Sequence, residues 1–72
     1  MKFRNQVKFY KVNDDCSVTV QSGDQYYRCK LRVEVLKQFM TFNQGDDVDI
    51  TFGVAYVRGS GLVLQIIEVH NG

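Results

Sequence analysis

The chain has 72 residues, 44% of them apolar and 24% charged. A chain of that length forms one small domain that buries roughly 60% of its unfolded surface. Its apolar content excludes a disordered tail, and no run approaches the ~18 apolar residues of a membrane span. The net charge of +1 is too small for a uniformly basic protein, but it is unevenly distributed. Residues 1–37 carry eight Lys/Arg against four acids, a balance of +4; residues 38–72 carry Arg58 against four acids, a balance of -3. Such a division marks a polarised surface once the residues are assigned to faces.

The stretch "MKFRNQVKFYKV" has charges where a secretory signal needs an apolar core, so it reads as mature sequence of a cytoplasmic protein. Within it Phe3, Val7 and Phe9 share one parity while Lys2, Arg4, Gln6, Lys8 and Tyr10 share the other. That period of two predicts a strand, with Asn5 the odd member of its apolar face. "NDD" at 13–15 reads as a turn. "CSVTVQS" at 16–22 is a second strand, with Cys16, Val18 and Val20 inward and Ser17, Thr19 and Gln21 outward.

"SGD" at 22–24 closes a hairpin into a third strand, "DQYYRCKLRV". Its inward set is Tyr27, Cys29, Leu31 and Val33; its outward set is Tyr26, Arg28, Lys30 and Arg32. Inward residues are even on the second strand and odd on the third, so opposed residues sum to an odd number. A two-residue Gly23-Asp24 turn satisfies this, pairing Val20 with Tyr27 and Val18 with Cys29. On the outer side it sets Gln21 by Tyr26, Thr19 by Arg28 and Ser17 by Lys30.

In "EVLKQFMTF" the period changes: Val35, Leu36, Phe39 and Met40 recur at helical spacing, which predicts one or two turns over 35–41. Gly45 sits where the chain reverses out of that helix. "DDVDITFGVAYV" resumes alternation, with Val48, Ile50, Phe52 and Val54 on one face, and Gly53 in mid-strand predicts a bulge or bend. "RGSG" at 58–61 is a tight loop, and "LVLQIIEV" at 62–69 is the fifth strand. Both faces of that last strand are apolar, more than a small barrel buries, which suggests a homodimer through 62–69.

Five strands with a short helix between the third and fourth give a mainly β protein, a five-stranded OB-fold-like Greek-key barrel over residues 1–72. SH3- and Sm-like barrels do not usually place a helix there. The segments "VTVQSGDQYYRCKL" and "FNQGDDVDITFGVAYVRGSGLVLQIIEV" resemble those of small OB-fold single-stranded nucleic-acid-binding proteins at the level of the superfamily.

The residues offer no catalytic apparatus, metal site or cofactor site, and no small-molecule substrate is implied. His70 has no Cys or Ser partner with an orienting third group and reads as a solvated residue. "GSG" lacks the lysine and following helix of a phosphate loop. Asp46, Asp47 and Asp49 fall short of the six to eight oxygens of a calcium site and read as a charged turn and edge. Cys16 and Cys29 lack zinc spacing and read as two small buried hydrophobes in a reducing compartment, a disulfide being the lesser reading.

The outer face carries the functional expectation. Lys2, Arg4, Lys8 and Tyr10 join Ser17, Thr19, Gln21, Tyr26, Arg28, Lys30 and Arg32, and parity places no acid among them. Cations along a strand path track phosphates, and exposed rings stack on bases. The OB-fold resemblance implies a ligand on this face with contacts from the loop between the last two strands, where Tyr56 and Arg58 stand; Phe42 is a further stacker or a core residue. The expected function is binding of single-stranded nucleic acid, DNA rather than RNA. The alternative is a protein-interaction or structural module, homodimeric, of a phage or mobile element.

Overall fold

The computed structural model describes residues 2–70 and consists of five strands and one helix. They are β1 (Lys2–Val12), β2 (Val18–Ser22), β3 (Gln25–Leu31), α1 (Val33–Phe39), β4 (Asp47–Val57) and β5 (Gly61–Val69). The strands close a barrel in the order β1-β2-β3-β5-β4, antiparallel throughout except for the β3–β5 contact, which is parallel. The architecture is the mainly β, OB-fold-like Greek-key barrel that the pattern predicts, with the helix between the third and fourth strands. Among the described residues no helix is long and apolar enough to cross a membrane.

The β2–β3 register is the one parity requires: Val18 opposes Cys29, Thr19 opposes Arg28, Val20 opposes Tyr27 and Gln21 opposes Tyr26. Gly23, at φ +61, supplies the left-handed residue of the two-residue turn. Inward residues of all five strands build the core of Val7, Phe9, Val18, Val20, Cys29, Val48, Ile50 and Ile66.

The barrel has two unlike ends. At one, α1 seats Val35 and Phe39 on the core, and the rings of Phe9, Phe39 and Phe42 pack together with centroids 5.5–6.2 Å apart. Phe42 thus belongs with the core. The helix spans 33–39 rather than 35–41, because Arg32 is already extended at its N-cap. Met40 follows the helix instead of facing the core and is 69% exposed. Gly45, at φ +93, then turns the chain and donates its N–H to the Phe9 carbonyl (2.7 Å), leading into β4.

The opposite end is open. Among the described residues, β1 pairs β4 as far as Lys2 opposite Gly53, and β3 pairs β5 at Lys30 and Leu31. Residues 54–57 and 61–64 therefore run on as a two-stranded arm, tied by Val54–Leu64 and Tyr56–Leu62 pairs. The irregularity expected at Gly53 lies one residue earlier and on the partner: Thr51 opposes Glu68 and Phe52 opposes Ile66, so Ile67 is the extra residue. Tyr27 and Val54, inward by parity, stay exposed because the barrel is open here, and Val33 is exposed on the helix.

Cys16 differs from expectation. It is exposed in the β1–β2 turn at φ +66, not inward on a strand. Asn13 and Ser17 close a three-residue loop (Asn13 N–H to Ser17 O, 2.7 Å; Cys16 N–H to Asn13 O, 3.1 Å), and such loops need a left-handed third residue. Cys29 is buried, and both thiols are free.

Candidate nucleic-acid interface

The outer sides of β1, β2 and β3 form one surface. Lys8, Gln21 and Tyr26 make a row across the three strands. The next row does not follow simple alternation. Phe9 opposes Val20 but Lys11 opposes Thr19, so Tyr10 is the extra residue of a bulge. The bulge leaves Tyr10 on the outer side and brings Lys11 there as well, in a row with Thr19 and Arg28. Lys11 is thus a member of the surface that alternation misses. The signal was present in Val12, an apolar residue at the wrong parity for the strand yet packed against the core.

Tyr10 and Tyr26 meet edge to face across β2, with ring centroids 5.1 Å apart and planes at 64°. Tyr26 is exposed and Tyr10 half-buried, so the pair offers ring surface to solvent while fixing its own geometry.

The expected absence of acids from this surface is overturned. Closing the barrel sets β4 beside β1, and its outward carboxylates reach the β1 cations. Arg4 forks onto Asp49 (Nε 3.1 Å, Nη2 2.8 Å), and Lys8 meets Asp47 at 2.9 Å. Hydrogen bonds from Arg4 hold the Asp49 carboxyl below its usual range, and the same bonds raise Arg4. The third pair is Arg28 with Asp15 at 2.9 Å, supplied by the β1–β2 turn.

Arg28 belongs to a closed polar cluster. The Ser17 hydroxyl, in a residue only 2% exposed, donates to Asp15 Oδ1 (2.5 Å) and accepts from Asn13 Nδ2 and Arg28 Nε (both 3.0 Å). Its donor and both lone pairs are used. Asn13 Nδ2 also donates to Thr19 Oγ1 (2.9 Å), and the Ser17 N–H donates to Asp15 Oδ1 (3.1 Å). Hydrogen bonds from Ser17, then from Arg28, lower the Asp15 carboxyl to about 2. Ser17 is on the outer side as expected, but the turn covers it and its neighbour is Arg28 rather than Lys30.

Four cations of the surface keep no carboxylate partner among the described residues: Lys11, Lys30 and Arg32, and Lys2 away at the start of β1, opposite Gly53. Lys30 continues the outer side of β3, and Arg32 follows it at the helix N-cap. Tyr56 and Arg58 are not brought to this surface. Tyr56 lies on the arm, on the side that continues the barrel's inward face, and Arg58 lies in the arm's turn.

His70 is half-buried rather than solvated. Its ring Nε2 hydrogen-bonds with the Thr51 hydroxyl (2.5 Å), and its N–H donates to the Asp49 carbonyl (2.8 Å). No group of three or more His, Cys, Asp or Glu among the described residues could hold a metal ion. No protein-family model, curated protein or solved structure matches this chain.

Proposed function

We propose that the outer surface of β1–β3 binds single-stranded nucleic acid, DNA in preference to RNA, without catalysis. The observation that carries this reading is the solvent-facing Tyr10–Tyr26 pair flanked by Lys11, Lys30 and Arg32, cations with no carboxylate partner among the described residues. Bases stack on the tyrosines whatever their identity, and the three cations follow the phosphates. Thr19 and Gln21 stand between them as short hydrogen-bonding groups. Arg4, Lys8 and Arg28 stand next to this track with their charge already matched by Asp49, Asp47 and Asp15. They contribute less than their number suggests. The protein acts in the cytoplasm.

The test is fluorescence anisotropy with labelled oligo-dT and oligo-U at two salt concentrations. Three neutralised phosphates at ~0.7 each give a slope of log affinity on log salt of about -2. Tyr26→Ala costs one stacked base, about 1–3 kcal/mol or roughly 5- to 150-fold. Lys11→Glu with Lys30→Glu should abolish binding while leaving the far-UV spectrum intact. Unchanged affinity in that double variant removes the proposal. Arg28 is the wrong residue for this purpose, since reversing its charge also opens the Ser17 cluster.

A second reading rests on a different observation. The arm exposes Val54, Tyr56 and Leu62 together, an apolar group of the kind that marks contact with another protein.

A further inference from the structure

The open end of the barrel holds a cavity of about 270 Å³ lined by Asn5, Ser22 and Tyr27 among apolar residues that include Ile50, Phe52 and Leu64. Drug-sized ligands occupy roughly 300–1,000 Å³, so this mouth takes a single ring system. Asn5 is the polar member of the inward face of β1. Its Oδ1 accepts the Gln6 N–H (2.9 Å), while its Nδ2, the Ser22 hydroxyl and the Tyr27 hydroxyl form no side-chain hydrogen bond within the described chain. A cup with an apolar wall and three polar groups is matched by a ring that carries a hydroxyl.

Such a ring stands on the same chain. Tyr56 and Leu62 oppose each other on the arm, each 74% exposed, so Tyr56 does not fill the mouth of its own barrel. They lie on the side that continues through Val54–Leu64 to Phe52–Ile66, the same side that faces the mouth. Phe3, tilted against Phe52 with centroids 5.7 Å apart, adds another exposed ring to the rim. Between Gly53 and Gln65 the only charge is Arg58, in the turn, so two arms can approach without strong repulsion.

We propose that two copies of this chain associate open end to open end about a twofold axis, each placing Tyr56 in the other's mouth. The contact is isologous, so it closes as a dimer and does not propagate into a filament. It covers Phe3, Val54 and Leu62 at the same time, and each mouth receives a ring from the partner copy. Among the described residues the ladder edges of 55–57 and 61–64 have no strand partner outside the arm; they lie beside the contact and can pair across it. This association uses the end of the barrel and leaves the β1–β3 outer surface open, so it stands or falls separately from nucleic-acid binding.

Light scattering over a range of concentrations tests it. The mass should rise from 8.3 kDa toward twice that value as concentration increases. Tyr56→Ala should weaken association about 30-fold, the loss expected of a buried aromatic anchor, and Leu62→Ser, separately, should weaken it by a smaller factor. Both residues are exposed in the single chain, so both variants should keep the wild-type far-UV spectrum and melting temperature at low concentration. p-Cresol, which carries the tyrosine ring, should compete with Tyr56, dissociate the dimer and shift the NMR signals of Asn5, Ser22 and Tyr27. A chain that remains monomeric at millimolar concentration overturns the proposal. So does a dimer indifferent to Tyr56→Ala and p-cresol. Thymidine or uridine shifting those mouth signals where p-cresol does not would also overturn it, in favour of a nucleobase site.

Discussion

Ser17→Ala should destabilise the fold by about 1–2 kcal/mol although it deletes a single oxygen. The hydroxyl is buried and makes three hydrogen bonds, to Asp15, Asn13 and Arg28. Stranding a buried polar group costs about 1–3 kcal/mol, and hydrogen bonds to charged groups lie at the upper end of the usual range. The loss is moderated because each partner keeps a second contact. Asp15 still accepts the Ser17 N–H, Arg28 still meets Asp15, and Asn13 still donates to Thr19. In a domain of this size each kcal/mol lowers the melting temperature by roughly 4–8 °C, so the expected shift is about 4–16 °C. Urea unfolding followed by circular dichroism should show a lower midpoint at an unchanged slope, as befits a change in stability alone. Combining Ser17→Ala with Arg28→Met should cost less than the sum of the two, by about 0.5 kcal/mol or more. A loss below about 0.5 kcal/mol, the range of an ordinary surface substitution, or strict additivity with Arg28→Met, would refute the view that this hydroxyl holds the turn to β3.

The two thiols should differ sharply toward a maleimide or disulfide reagent. Cys16 is exposed, whereas Cys29 is buried and desolvation pushes it up to about 11. One equivalent should react in the native protein and two in urea; rapid native labelling of both would contradict the burial. Asp15 should confer an acid-sensitive increment of stability. Its carboxyl sits at about 2, below the ordinary 3.8, so the increment is fully present above pH ~4 and lost as the pH falls toward 2. Unfolding curves of wild type and Asp15→Asn at pH 4.5 and 2.5 should converge at the lower value, and parallel curves would speak against the mechanism.

Local pairing was legible in the sequence because a short turn and a one-sided burial leave a single register. Residues 18–29 show this, since parity and a two-residue Gly23-Asp24 turn admit only the observed partners. Three departures lay beyond that logic. The Tyr10 bulge shifts the face of Lys11, and its one mark in the sequence is Val12, apolar at the wrong parity, which simple alternation passes over. Cys16 adopts a left-handed conformation more usual for glycine, so the rule that equates turn residues with Gly or Asn passes over it. Asp47 and Asp49 reach Lys8 and Arg4 only when the barrel closes, a pairing some 40 residues distant that no local period encodes. The mouth had one early signal, since Asn5 interrupts the apolar parity of β1 at the level where the barrel opens.

The redistribution of charge decides what kind of nucleic-acid surface this would be. Six cations on one face would bind chiefly by counterion release, with a slope near -4 at ~0.7 per phosphate. With Arg4, Lys8 and Arg28 held by carboxylates, Lys2 away from the tyrosines at the start of β1, and Lys11 added, three cations and half that slope remain. Displacing those carboxylates gains little, because each phosphate contact would replace an ion pair already made, and exposed pairs are worth at most about 1 kcal/mol. Stacking does not weaken in the same way. Two rings at about 1–3 kcal/mol each equal or exceed what three exposed charges supply at physiological salt, where screening acts over about 8 Å. Binding on this surface should therefore survive moderate salt yet fail on removal of Tyr26, the opposite of a purely basic groove. The fixed edge-to-face geometry of Tyr10 and Tyr26 then becomes the determining feature, because one ring buttresses the face that the other presents to a base.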